Sequence, residues 1–271
     1  TIFGVYLISV TFIPPTGVDR CYIYCVRSDY HHQPRATDMT TTTTTTIRLP
    51  LTSTTIRDSK GRAPKPTKGW LVGQLTINIL SCYDAADADA RLSGGAWYPR
   101  AQTAARAMST ATALPLTICA GVLAALSPRN RWSRNVTDAA AMLTAFVSGG
   151  TDAARDVKVC TFNSNKDKAL RIMASSAGRD EVARILSGRK LTSFYGCIMG
   201  DRGCEVCIDG HAVSIALGTR ITLDKTPSLS AGRYATMQVA YNTAAAARGV
   251  SAATMQAVTW VSYRTGHSIR N

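Results

Sequence analysis

A chain of 271 residues with 45% hydrophobic side chains has enough apolar material for one large domain or two small ones, and needs no disulfides to fold. Aromatics at 7% and abundant alanine, with runs such as Ala244 to Ala247, disfavour a β-sandwich and favour helices packed on small side chains, so an all-α fold is expected. The formal net charge of +14 lies wholly beyond residue 38, because three arginines balance three aspartates before it; that load suits either contact with phosphates and release of their counterions or plain solubility.

Residues 1 to 38 read poorly as structure: an apolar, β-branched stretch from Ile2 to Ile13, then Pro14-Pro15, scattered cysteines and His31-His32. The apolar stretch is too short to span a bilayer and lacks a basic flank, so no membrane segment is expected there. Met39 stands directly before seven threonines, Thr40 to Thr46, and is expected as the biological start, with residues 1 to 38 as upstream translation or a fragment artefact; N-terminal sequencing of native material tests this. The stretch up to Lys68 is polar and low in complexity, with Arg57, Lys60, Arg62, Lys65 and Lys68, which predicts a disordered basic arm over 1–68. The folded domain is expected over 69–271.

From Trp70 on, apolar residues recur at helical spacing. The first predicted helix runs from about Leu71 to Asp84, and a second starts at Trp97-Tyr98-Pro99, with proline suited to a first turn, and continues through Met108. Leu114 to Leu126 is almost wholly apolar and predicts a buried helix that stops at Ser127-Pro128. After the loop Arg129-Asn130-Arg131-Trp132, helical patterning resumes from Asn135 to Phe146 and ends at Gly149-Gly150. Further helices are predicted at 166–174, 180–186, 190–198, 210–217, 231–247 and 252–263, with Gly188 marking a tight hairpin.

Eight cysteines, at 21, 25, 82, 119, 160, 197, 204 and 207, lie mostly in apolar helical contexts and read as buried free thiols of a reducing cytosol. Cys204 and Cys207 form a C-x-x-C, but no second pair follows and the last 64 residues hold no cysteine, so no zinc or iron–sulfur site is expected. Carboxylates are scarce, fifteen Asp and only Glu181 and Glu205, which leaves Asp209 with little competition as an essential acid or base.

Lys190 precedes Asp209 by nineteen residues. The stretch Arg184-Ile185-Leu186-Ser187-Gly188-Arg189-Lys190-Leu191-Thr192 followed by Val206-Cys207-Ile208-Asp209-Gly210-His211 resembles the core of the helix-hairpin-helix DNA glycosylase superfamily, of the endonuclease III kind, in which a Gly-rich hairpin and G-R-K-T-A lead to V-D-x-H. Ala120 to Ser127 with Asn135 is similar to that family's buried helix and the loop that enters DNA. Phe162-Asn163-Ser164-Asn165-Lys166 with Ala169 is similar to its Y-N-S-K-A helix start, and Trp260 to Arg264 falls where the family has a closing aromatic and basic helix. The resemblance spans about Leu71 to Arg264. The chain also looks like phage-associated relatives carrying W-Y-P-x-A, L-S-P-x-x-x-W-x-x-N and D-G-H-A.

The resemblance implies a two-lobed all-α fold, a monomer in a bacterial or phage-infected cytoplasm, no cofactor, and double-stranded DNA with a damaged or modified base as partner. It implies catalysis by Asp209 and Lys190 and DNA contact by Gly188, Arg189, Ser127, Arg129, Asn130, Arg131, Trp132, Arg134, Asn163 and Lys166. Each residue also has a plainer reading. Asp209 suits an N-cap as well as an active carboxylate, and the two are compatible. Lys190 fits a nucleophile or a phosphate contact. Trp132 fits a wedge for the gap left by an extruded base or a core anchor; Trp97 and Tyr98 fit base stacking or buried packing; His211 reads as packing. The hairpin Leu186-Ser187-Gly188 lacks the family's proline and one glycine, and Gly210 replaces the usual residue after the aspartate. Both departures leave room for two rivals: an enzyme that remodels a modified thymine in phage DNA, and a non-catalytic DNA-binding module.

Overall fold

The computed structural model describes residues 7–9, 24–26, 70–201 and 206–269. The chain divides into two units, Thr1–Arg57 and Asp58–Asn271. In the first, β1 (Leu7–Ser9) and β2 (Tyr24–Val26) pair antiparallel with Ile8 opposite Cys25. The rest of the arm expected over 1–68 lies outside the described residues, as do Cys204 and Glu205. Among the described residues no helix is long and apolar enough to cross a membrane.

From Trp70 on, the regular structure of the described residues is helical throughout, as composition predicts. The helices are α1 (Val72–Asp84), α2 (Ala88–Gly95), α3 (Trp97–Thr112), α4 (Leu116–Leu126), α5 (Trp132–Asp156), α6 (Asn163–Met173), α7 (Arg179–Leu186), α8 (Arg189–Met199), α9 (Gly210–Ala216), α10 (Ala231–Ala247) and α11 (Ala252–Gly266). Two hydrophobic cores organise them. One gathers α3 to α8 around α4, whose residues Ile118 to Leu126 are all buried, as a helix apolar on every side must be. The other gathers α1, α2, α9, α10 and α11 around Ile79, Ile208, Met237, Tyr241 and Met255. Helix α11 serves both, with Ala257 in the first core and Val258 in the second.

Helix α2 escapes the sequence reading because Ala-Asp-Ala-Arg-Leu-Ser-Gly-Gly has no apolar periodicity. Its start is set by the Asp87 side chain, which accepts the Ala90 amide at 2.7 Å. Its packing is set by small residues, since Gly94 lies against α11 so closely that a Cβ there would come within 2.4 Å of the Val258 Cα. Gly94→Ala is therefore expected to destabilise by about 2 kcal/mol or more in urea unfolding. Gly95→Ala, whose Cβ would meet nothing within 4 Å, is the matched control and is expected to be neutral or slightly stabilising.

Both boundaries of α5 differ from expectation. Helix α5 starts at Trp132, three residues before Asn135, because Arg131 is extended and its carbonyl already accepts the Asn135 amide at 2.8 Å. It also does not end at Gly149-Gly150: both leave helical geometry, Gly150 with φ 72°, and the chain turns a kink there and resumes to Asp156. Between α7 and α8 the chain reverses in two residues, Ser187 with φ 45° and Gly188 with φ 78°, so the predicted hairpin glycine occupies the left-handed region that a Cβ disfavours.

Candidate functional site

The reversal at Ser187-Gly188 puts Arg189 and Lys190 in the first turn of α8, where Lys190 is exposed. The segment Val206 to Ile208 runs buried into α9 and is held by Tyr234, whose hydroxyl accepts the Ile208 amide at 3.0 Å and donates to the Val206 carbonyl at 3.0 Å. Asp209 ends that segment as the N-cap of α9, its Oδ1 accepting the Ala212 amide at 2.8 Å. Its Oδ2 accepts the indole N–H of Trp260, from α11, at 3.1 Å. The capping role and an oriented carboxylate are thus one arrangement. Lys190 and Asp209 line the same cleft, of about 490 Å3, together with Gly188, Arg189, Gly210 and Thr226.

Positive groups surround the carboxylate. The Arg264 guanidinium stacks over the Trp260 ring at 4.2 Å. Burial lowers its pKa and Asp209 opposes that shift. His211, the second residue of α9, packs its ring 6.2 Å from Trp260 and 5.8 Å from Tyr263, which in turn stacks on His267 at 4.2 Å. Burial pushes the His211 pKa below its ordinary value; Asp209 acts against this, while Arg264, Lys190 and His267 reinforce it. An imidazole held below its unfolded value binds fewer protons in the native state, so stability from this group is complete above the ordinary value of 6.5 and is lost as pH falls through that value. The urea midpoint is expected to drop between pH 7.5 and pH 5, and His211→Phe, which keeps the ring stack, to flatten that drop. The lowered carboxyls Asp84 and Asp224 titrate around and below 3.8, outside this window.

The other predicted contact residues form a second group. Ser127 caps α4, its hydroxyl donating to the Ala124 carbonyl at 2.9 Å. Arg129 and Arg131 are exposed, and the Arg129 guanidinium lies 5.3 Å over the ring of Phe162, itself 49% exposed. Asn130 and Arg134 are both turned onto Asp138, by Nδ2 at 3.1 Å and Nε at 2.6 Å. Asn163 is exposed at the start of α6, and Lys166 spends its ammonium on the Arg155 carbonyl.

Asp138, only 2% exposed, is the residue the sequence reading missed. Its Oδ2 also accepts the Cys160 amide at 2.8 Å, and Thr161 Oγ1 donates to the Pro128 carbonyl at 3.0 Å, so the 127–131 and 157–162 loops are bound to one another. A buried acid four residues after Arg134, on an otherwise apolar face, is the signal that marks it.

Trp132 is half-buried, 5.1 Å from Trp97 and 6.5 Å from Phe194, and Tyr98 is buried with its hydroxyl on Gln256 at 3.0 Å; these contacts match the packing readings of both. Trp97 continues the array to Trp260 at 6.1 Å, so ring contacts run from the loop group to the partner of Asp209. The cysteine expectation needs one correction. Cys119, Cys197 and Cys207 are buried, but Cys160 is exposed, because its own amide, tied to Asp138, holds it at the loop surface instead of in a helix.

The model of a family of unknown function, DUF7178, matches residues 62–267. The chain belongs to that family. No curated protein and no solved structure matches it.

Proposed function

We propose that the protein is a DNA glycosylase-like enzyme on a two-lobed helix-hairpin-helix fold, each hydrophobic core forming one lobe, that extrudes a base from duplex DNA and breaks its N-glycosidic bond. The observation that carries this reading is the cleft shared by Lys190 and Asp209, next to the Ser187-Gly188 reversal. An oriented carboxylate beside the C1′ carbon stabilises the cationic sugar as the C1′–N bond breaks. Water then supplies the oxygen that bonds C1′, its proton passing to the departing base and leaving an abasic site. Where the neutral Lys190 amine attacks instead, C1′ bonds nitrogen as the base leaves with one amine proton; the C1′–O4′ bond then breaks, O4′ takes the second amine proton, and the resulting Schiff base permits strand cleavage. The bound-together loops with Arg129, Arg131 and Phe162 supply a basic, partly aromatic face for the duplex, in keeping with a net charge of +14.

The test is a panel of duplexes carrying damaged and hypermodified bases, including modified thymines of phage type, run with wild type, Lys190→Ala and Asp209→Asn. Base release abolished by Asp209→Asn supports the reading. A borohydride-trapped complex absent from Lys190→Ala assigns lysine as the nucleophile, and release without trapping assigns water. Conversion of a modified thymine without its release identifies a remodelling enzyme. No turnover, with salt-sensitive binding unaffected by Asp209→Asn, identifies a non-catalytic DNA-binding module and sinks the catalytic proposal.

A further inference from the structure

Gly210, directly after Asp209, starts α9 beneath a covering segment. The segment from Gly218 to Ser230, between α9 and α10, folds back over the start of α9. It is pinned by Ser214, whose hydroxyl donates to the Ile221 carbonyl at 3.2 Å and accepts the Ile221 amide at 3.3 Å, and by a turn in which Lys225 N–H meets the Thr222 carbonyl at 2.9 Å. Its Leu223 and Thr226 side chains rest directly on Gly210: a Cβ there would lie 2.6 Å from Leu223 Cδ2 and 3.0 Å from Thr226 Oγ1. Thr226 and Leu229 from this segment line the cleft together with Lys190, Ile208 and Val213.

The geometry points to the 218–230 segment as the specificity wall of the Asp209 cleft, with Gly210 and Thr226 setting how large a base enters. This rests on the glycosylase-like reading. The Thr226 hydroxyl donates to the Thr222 carbonyl at 3.2 Å, so toward the cleft it offers an acceptor, and Leu229 offers apolar surface. A wall of that composition, around a space of about 490 Å3, takes a base that carries an extended substituent with an N–H donor. A side chain at Gly210 turns the exposed Leu223 tip aside and shifts Thr226 by a few tenths of an ångström, which alters the wall.

Three duplexes separate the wall from the rest of the site. They hold, at one position, a tetrahydrofuran abasic analogue, thymine, or a uracil bearing an aminoalkyl arm at C5. Dissociation constants are measured for wild type, Gly210→Ala, Thr226→Ala and Thr226→Phe, each checked for a native circular dichroism spectrum and cooperative melting. Wild type is expected to bind the aminoalkyl and tetrahydrofuran duplexes better than thymine. Thr226→Phe, which fills the wall, is expected to weaken the aminoalkyl duplex about tenfold or more while leaving the tetrahydrofuran duplex unchanged, the scale on which pocket fit discriminates. Thr226→Ala, a smaller probe of the wall in case the phenylalanine disturbs folding, is expected to shift the aminoalkyl-to-thymine ratio, as is Gly210→Ala. Folded variants that keep the wild-type ratios overturn the wall while leaving the glycosylase-like reading in place. Wild type that binds no duplex overturns both.

Discussion

Replacing Asp138 with alanine is expected to lower stability by about 2–4 kcal/mol, the cost of leaving two donors unpaired in a part-buried setting. Those donors are the Asn130 amide nitrogen and the Cys160 backbone N–H, both held by Oδ2. The Arg134 contribution is small, since its side chain is 56% exposed and solvent screens it. The loss has a local consequence as well, because Asp138 is the point where the 127–131 loop, the 157–162 loop and α5 meet. Asp138→Asn keeps the volume but can present an amide NH2 to donors that need an acceptor, and is expected to fall between alanine and wild type. Urea unfolding followed at 222 nm reads both variants. An Asp138→Ala protein as stable as wild type contradicts the bracing role. If the brace holds, the same variant weakens duplex binding more than Arg134→Ala does, because it frees the loops that carry Arg129 and Arg131.

Under the proposed glycosylase-like function, Asp209→Asn is expected to cut base release about 10²–10³-fold, the loss that follows removal of one preorganised charge-stabilising group. Its effect on the fold is moderate. Asparagine ranks with aspartate as an N-cap, so the bond from the Ala212 amide survives, but its NH2 then faces the Trp260 indole N–H, which loses its acceptor at a cost of about 1–2 kcal/mol. Asp209→Ala loses cap and carboxylate together and falls in both measurements, which is why asparagine is the informative change. The indole N–H of Trp260 adds a second check: Trp260→Phe leaves the carboxylate in place without its orienting donor and lowers the release rate less than Asp209→Asn. Single-turnover rates on the responsive duplex, alongside urea midpoints, separate the two effects. An Asp209→Asn enzyme that releases base at the wild-type rate removes the carboxylate from the mechanism.

Helices with an apolar stripe were legible in the chain, and α10 runs from Ala231 to Ala247 as its pattern predicts. Periodicity said nothing where small residues do the packing, as in α2, whose Gly94 needs α11 beside it to have a meaning. It also cannot see that α5 continues past two glycines, because the resumption depends on geometry at Gly150. The pairing of Lys190 with Asp209 was implied by the family resemblance, with both at predicted helix starts. The bond from Trp260 to Asp209 could not be read from the chain, the two lying 51 positions apart. Nor could the hold of Tyr234 on Ile208, or the loop brace at Asp138, since a long-range hydrogen bond leaves no local pattern. Trp132 shows the same limit: an aromatic beside arginines fits a wedge or a core anchor alike, and its contacts with Trp97 and Phe194 leave no local pattern.

The ring array also makes the protein its own optical gauge. Of its four tryptophans, Trp97, Trp132 and Trp260 stand in one run of contacts, and only Trp70 lies elsewhere, under Arg233. Emission from the chain therefore reports chiefly on one place, the seam where α3, α5, α8 and α11 bring the two cores together. The indole of Trp260 donates to Asp209 and lies beneath Arg264, so an anion or base arriving at that carboxylate changes the field across a fluorophore already coupled to two others. A titration followed by intrinsic fluorescence reads occupancy of the cleft with no label added.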